Sequence, residues 1–190
     1  MPTLFFDTET TDRAIHDAPH TDNRQPDIVQ LAAILRDDDA REMASINLII
    51  QTDRHIEEGA FRTHGISKDV AEQFGVSPIN AIYVFRDMLA SADTVVAHNI
   101  AFDRKVTKAA VFRVEIPEIP WDMLRQRDTM LAATPICKLP GKRGFKWPTL
   151  NEAHLHFFST PVDGAHDALV DVRACMAVYD ELLKLNAFKD

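Results

Sequence analysis

Phe5-Phe6-Asp7-Thr8-Glu9-Thr10-Thr11 is the stretch on which the fold turns. Residues 3–6 (TLFF) are short, apolar and aromatic, and predict a strand running into Asp7. Asp7 and Glu9 are two apart on that strand, so their side chains leave the same face. Two like charges there repel each other and resist burial. A divalent cation reverses both penalties, while on this segment alone a solvated strand end explains the pair equally well.

Outward from this strand, residues 11–27 are polar, carry Pro19 and Pro26, and predict a loop. IVQLAAIL (28–35) and SINLIIQ (45–51) predict two more strands, with Asp37-Asp38-Asp39 as the turn between them. Three successive strands point to an antiparallel meander. Ser77-Pro78 predicts an N-cap with proline at the first helical position, and Ile82, Phe85 and Leu89 give that helix an apolar face. Thr94-Val95-Val96-Ala97 predicts a short buried strand. A helix from about Ile100 to Arg113 then carries Phe102, Val106, Ala109 and Ala110 inward. Residues 114–148 are broken by Pro117, Pro120, Pro135, Pro140 and Pro148, with a short helical or strand piece near Asp128-Thr129. Thr149-Leu150-Asn151-Glu152 fits a capping box opening a helix toward Phe157. A last helix, about Asp167 to Leu185, aligns Ala168, Val172, Cys175, Tyr179 and Leu182 in one stripe. This order predicts a mixed sheet flanked by helices, in a single domain over residues 1–190.

A chain of 190 residues that is 46% hydrophobic and 26% charged matches one globular domain with a core of its own. The net charge of -8 argues against broad polyanion binding, although bound metal and a local basic loop can offset it. Cys137 and Cys175 are far apart and in no metal-ligand spacing, so a reduced, cytoplasmic setting is expected. Asp7 and Glu9 interrupt the first apolar stretch, so no secretory leader is expected. No apolar run is long enough to predict a membrane span.

Two further motifs carry acids. His98-Asn99-Ile100-Ala101-Phe102-Asp103 places Asp103 in the first turn of a helix that Asn99 is positioned to cap. There Asp103 suits either a metal or the helix dipole, and His98 and Asn99 suit hydrogen bonding, substrate contact or capping. In His166-Asp167-Ala168-Leu169-Val170-Asp171, Asp167 is the expected N-cap and Asp171 borders the apolar stripe, where a charge needs a partner. His166 sits in the preceding loop, about one helical turn from Asp171. His16, His20, His55, His154 and His156 read only as structural or solvated. Taken jointly, the acids form a hard oxygen ligand set that favours Mg²⁺ or Mn²⁺ over zinc. Two such ions can activate a water and stabilise the leaving oxygen of an in-line displacement at phosphorus. A histidine suits removal of the proton from that water near neutral pH.

These motifs, in this order and spacing, resemble the DEDD superfamily of 3′→5′ exonucleases, in its DnaQ-like branch with a histidine base. Asp7-Thr8-Glu9-Thr10 resembles the first motif, His98-Asn99 with Phe102-Asp103 the second, and His166 with Asp171 the third. His64-Gly65-Ile66 resembles a segment found between the first two. The resemblance runs from about residue 3 to 183. It implies an α/β, ribonuclease H-like fold: a five-stranded mixed sheet with helices on both faces. It implies that Asp7, Glu9, Asp103 and Asp171 hold two metal ions and that His166 is the general base. Thr10, with Phe102 and His64, would sit near the terminal nucleotide, Phe102 and His64 fitting a core aromatic and a loop or cap histidine equally. Nucleoside 5′-monophosphates would be the products.

Two regions depart from a minimal member of the family. The 11–27 loop is longer than a bare turn, and residues 138–148 carry four basic residues and no acid. Lys142, Arg143 and Lys146 can meet backbone phosphates while Phe145 or Trp147 stacks on a base; a solvated loop anchored by its aromatics is the alternative. The expected activity is hydrolysis at 3′ ends of single-stranded or frayed DNA, in repair or proofreading. An exoribonuclease on RNA 3′ ends and a noncatalytic interaction module are the alternatives. The sequence does not say whether the chain works alone, as a dimer, or with a polymerase or other protein partner.

Overall fold

Strand β1 (Thr3–Thr10) is central because both of its faces are apolar. Leu4 and Phe6 point to one side and Phe5 to the other, and all three are at most 1% exposed. The structure, a computed structural model, describes residues 1–188. β2 (Ile28–Arg36) pairs antiparallel with β1, and β3 (Glu42–Ile49) antiparallel with β2. On the other side β4 (Thr94–Ala97) runs parallel to β1, and β5 (Arg125–Asp128) parallel to β4. The order β3-β2-β1-β4-β5 is the expected five-stranded mixed sheet of the ribonuclease H-like fold.

Helices cover both faces. On one, Leu4, Phe6, Leu31 and Val95 pack against Ile82, Phe85 and Leu89 of α3 (Pro78–Ala90) and Val106 of α4 (Ile100–Arg113). On the other, Phe5, Ala32, Ile34 and Val96 meet the stripe Ala168, Val172, Cys175 and Tyr179 of α7 (Ala168–Lys184). Phe5 and Tyr179 meet edge to face at 5.2 Å. Each fully buried phenylalanine contributes about 2–3 kcal/mol of transfer free energy. α5 (Thr129–Cys137) and α6 (Leu150–Phe158) pack on α7 through Ala133, Cys137, Ala153, Val178 and Leu182. The capping box forms as its spacing predicts: Thr149 and Glu152 each accept the other's backbone N–H. Among the described residues no helix is long and apolar enough to cross a membrane.

Several elements differ from the sequence reading. β3 begins at Glu42 rather than Ser45, and it ends before Ile50, which forms a separate bridge with Val76. The strand's first residues are exposed at the sheet edge, where no alternation marks them. Two short helices, α1 (Glu58–His64) and α2 (Lys68–Phe74), bury only Ala71 between them, so no periodicity announces them. α5 runs through Pro135, which falls in its last turn. Within residues 138–148 lies a two-residue hairpin, β6 (Pro140–Gly141) and β7 (Gly144–Phe145).

The 11–27 segment is built rather than loose. Gln25 is fully buried, accepts the Ile15 N–H, and donates to the carbonyls of Ile15, Ala18 and Pro19. Asp27 is held by Arg113 at 2.8 Å, Arg54 at 3.3 Å and the Thr52 hydroxyl at 2.7 Å. Lys105 of α4 donates to the carbonyls of Ile15 and His16.

Candidate active site

β1 outruns its parallel neighbour. β4 pairs with it only from Thr3 to Phe5, so Asp7 and Glu9 lie beyond the carboxyl end of β4. Crevices outside the carboxyl ends of parallel strands, where the strand order reverses, are where open α/β sheets place ligands. By alternation Asp7 and Glu9 leave on the face of Phe5, which α7 covers, so Asp171 in the first turn of α7 reaches the same space. Asp103 arrives from α4, on the opposite face, and is 3% exposed. Its Oδ1 accepts both the Thr8 hydroxyl at 2.7 Å and the Thr8 N–H at 3.1 Å. Three distant segments are thereby joined.

The charges are unbalanced. Burial, and then Asp103, Glu9, Asp171 and Asp167, push the Asp7 carboxyl well above the usual range. Glu9 is pushed up to about 8, first by burial and then by Asp171, Asp103 and Asp167. Burial pushes Asp103 up to about 7 against the bonds from Thr8, and burial raises Asp171 against the pull of His166. Among the described residues no lysine or arginine is among the groups shifting Asp7 or Glu9. The ligand atoms of Glu9, His166 and Asp171 lie within 4.8 Å of one another. A cluster of mutually repelling carboxylates, Asp103 buried and Asp7, Glu9 and Asp171 half-buried, beside one imidazole fits a hard divalent cation.

His166 is exposed, and its backbone is left-handed, with φ 74° after Gly164 at 76°. That turn brings its N–H to Asp171 Oδ2 at 3.1 Å. Asp167 is the N-cap, accepting the N–H groups of Leu169 and Val170.

Other expected residues have different work. Thr10 is buried, and its hydroxyl donates to Asp12 O at 2.6 Å. His64 accepts the Ile66 N–H on Nδ1 and so donates from Nε2 to Thr10 O at 3.2 Å, which commits both ring nitrogens. Asn99 does not cap α4 with its side chain; its backbone is left-handed at φ 72°. The cap comes from Asp128, which receives the N–H groups of Asn99 and Ile100 together with those of Met130 and Leu131 in α5. Lys146 is spent on an ion pair with Glu152 at 2.5 Å. Lys142 and Arg143 are exposed between the two strands of the hairpin, and Trp147 is 63% exposed.

Sequence reading missed Thr8, Gln30 and Asp128. Gln30 pairs with Glu9 across β1 and β2, accepts the Ala168 N–H at 3.2 Å, and donates to Asn47 and Asp167. It docks the start of α7 beside Glu9. No local pattern marks Thr8 or Gln30, because each acts on a partner distant in the chain; Asp128 is a local N-cap of α5, but its second role, on the N–H groups of Asn99 and Ile100, is not written nearby.

The Exonuclease family model (RNase_T) matches residues 4–179. The chain belongs to this exonuclease family. No curated protein matches it. Among solved structures it is similar to Escherichia coli Exonuclease I in complex with a dT13 oligonucleotide (18% identity, TM-score 0.75, 96% of this chain and 40% of that one). A zinc-bound form of the E. coli enzyme with single-stranded DNA aligns at 21% identity and TM-score 0.74, covering 97% and 40%. Exonuclease I of Methylocaldum szegediense aligns at 23% identity and TM-score 0.72, covering 97% and 40%. At these identities the likeness shows the shared fold, and the chain spans about two fifths of the length of those enzymes.

In this exonuclease-family chain two open grooves meet at Phe102. One, of about 550 Å³, is lined by Glu9, Thr10, Arg13, His64 and Phe102 among others. The second, of about 640 Å³, is lined by residues of the 14–20 segment, α4, Met130, Leu131 and Trp147.

Proposed function

We propose that this chain is a divalent-metal-dependent 3′→5′ exonuclease that removes nucleoside 5′-monophosphates from single-stranded or frayed DNA ends, in repair or proofreading. One observation carries the reading: Glu9 and Asp171 bring ligand atoms within 4.8 Å of one another beside the His166 imidazole, Asp103, Glu9 and Asp171 all act repulsively on Asp7, and among the described residues no lysine or arginine offsets Asp7 or Glu9. These four carboxylates would hold two Mg²⁺ or Mn²⁺ ions, which when bound supply water activation and stabilisation of the leaving oxygen. His166, exposed beside Glu9 and Asp171, takes the proton of the attacking water. The groove at Glu9, Thr10 and His64 receives the terminal nucleoside. The choice of DNA is supported by the E. coli enzyme of similar fold, whose structure holds a dT13 oligonucleotide.

The test is digestion of end-labelled DNA and RNA oligomers of identical sequence, with Mn²⁺ and with EDTA. Nucleoside 5′-monophosphates released stepwise from the DNA 3′ end, and lost with EDTA or with Asp7→Ala, are expected. Internal fragments, EDTA resistance or full activity of Asp7→Ala would refute the activity, and preferential digestion of RNA would refute the substrate.

A further inference from the structure

We propose that the groove between residues 14–20 and α4 holds the single-stranded DNA leading up to the scissile bond, with a base stacked on Trp147. This rests on the exonuclease reading and adds the route of the strand.

Charge separates the two grooves. The one at Thr10 is lined by Glu9, Asp12 and Glu57 against Arg13, which suits a single nucleoside and repels a run of phosphates. The one at Trp147 is lined by Arg104, Lys105 and Lys108, all from α4. Among the described residues Asp128 is the only acid lining it, and its carboxylate is occupied by four backbone N–H groups. A polyanion therefore finds favourable potential in the second groove despite the net charge of -8. Lys105 also grips the carbonyls of Ile15 and His16, so it fixes the far wall while keeping a cation at the rim.

Trp147 is presented by a pinned backbone. The His98 ring donates from Nε2 to Pro148 O at 3.0 Å, and the Lys146 N–H donates to Leu139 O at 3.0 Å. An exposed indole on a fixed frame is a stacking platform for an unpaired base, which selects a single strand over a duplex. Phe102 lines both grooves and marks the passage from one to the other.

The chain's second tryptophan, Trp121, is 2% exposed, so fluorescence quenching by added DNA reports on Trp147. A dT oligomer of about twelve nucleotides, titrated in EDTA, is expected to quench wild-type emission. Trp147→Phe removes that quench, and Trp147→Ala and Lys108→Glu each weaken binding about tenfold. In Mn²⁺ the wild type should hydrolyse the long oligomer at a lower KM than a dinucleotide, an advantage Trp147→Ala and Lys108→Glu lose. Quenching that survives in Trp147→Phe, or wild-type affinity in Trp147→Ala and Lys108→Glu, overturns the proposal. Groove binding that these variants abolish, without hydrolysis by the wild type of either substrate, would instead remove the exonuclease reading.

Discussion

The Thr8 hydroxyl donates to Asp103 Oδ1 at 2.7 Å, and the Thr8 N–H reaches the same oxygen at 3.1 Å. One residue of β1 thus holds a carboxylate that arrives from α4, on the face opposite to that of Asp7 and Glu9. Both bonds favour the charged form of Asp103 and work against its burial.

Thr8→Val should therefore raise the Asp103 pKa further. The carboxylate then ionises at higher pH, and the acid limb of the activity profile moves upward. Loss of an orienting hydrogen bond of this kind costs about 10–100-fold in activity. Thr8→Ser keeps the donor and should restore both rate and profile. A Thr8→Val enzyme with lower activity but an unmoved acid limb would show that Thr8 serves packing alone.

His166 separates chemistry from backbone. Its left-handed φ of 74° costs a non-glycine residue about 1–2 kcal/mol, and glycine relieves that strain. His166→Gly should leave stability unchanged or raise it by up to about 1 kcal/mol, while hydrolysis falls by about 10²–10⁴-fold. Thermal unfolding and oligonucleotide digestion on the same sample check both halves. Retained activity would remove the imidazole from the mechanism.

What the sequence made legible follows from where each signal resides. β1, β2, β4, α4 and α7 announce themselves through apolar patterning, and α6 through its capping box, because these signals lie within a few residues. β5 (Arg-Gln-Arg-Asp) does not, since an edge strand can be wholly polar. α1 and α2 have almost no buried face to encode. The acids were noticeable because a charge beside an apolar run is locally costly. Thr8, by contrast, acts on a residue 95 positions away and looks like any strand threonine. Lys146 looked free for phosphate because the sequence does not display its ion pair with Glu152.

Metal and pH should act on stability together. For Asp7, Glu9, Asp103 and Asp171 the folded pKa lies above the ordinary value. The folded chain then binds more protons than the unfolded chain between about pH 4 and the raised values, which reach about 8 at Glu9. Stability from these groups is greatest below that window and is lost as pH rises through it. His64 and His98, lowered by burial, act in the opposite sense, so comparison with a variant isolates the carboxylates. In EDTA, the difference in melting temperature between Asp7→Asn and wild type should widen in favour of the variant as pH rises. Mn²⁺ should raise the wild-type melting temperature more at high pH than at low, and Asp7→Asn much less. Equal Mn²⁺ shifts in both proteins would mean that Asp7 faces no ion.

Asp128 bears on stability through two helices at once. Its carboxylate accepts four N–H groups, two opening α4 and two opening α5, at 2.9 to 3.2 Å. Truncating one N-cap costs about 0.5–2 kcal/mol, so Asp128→Ala should cost roughly 3 kcal/mol, because donors of both helices lose their acceptor together. For a chain of this size that lowers the melting temperature by roughly 6–12 °C. Asp167→Ala, which removes the cap of α7 alone, should cost about 1 kcal/mol. Because Asp128 fixes the first turn of α4, from which Asp103 projects, its loss should also slow hydrolysis well below the melting transition. If the two truncations prove equally mild, the α4 amides find water instead, and Asp103 owes its position to Thr8 alone.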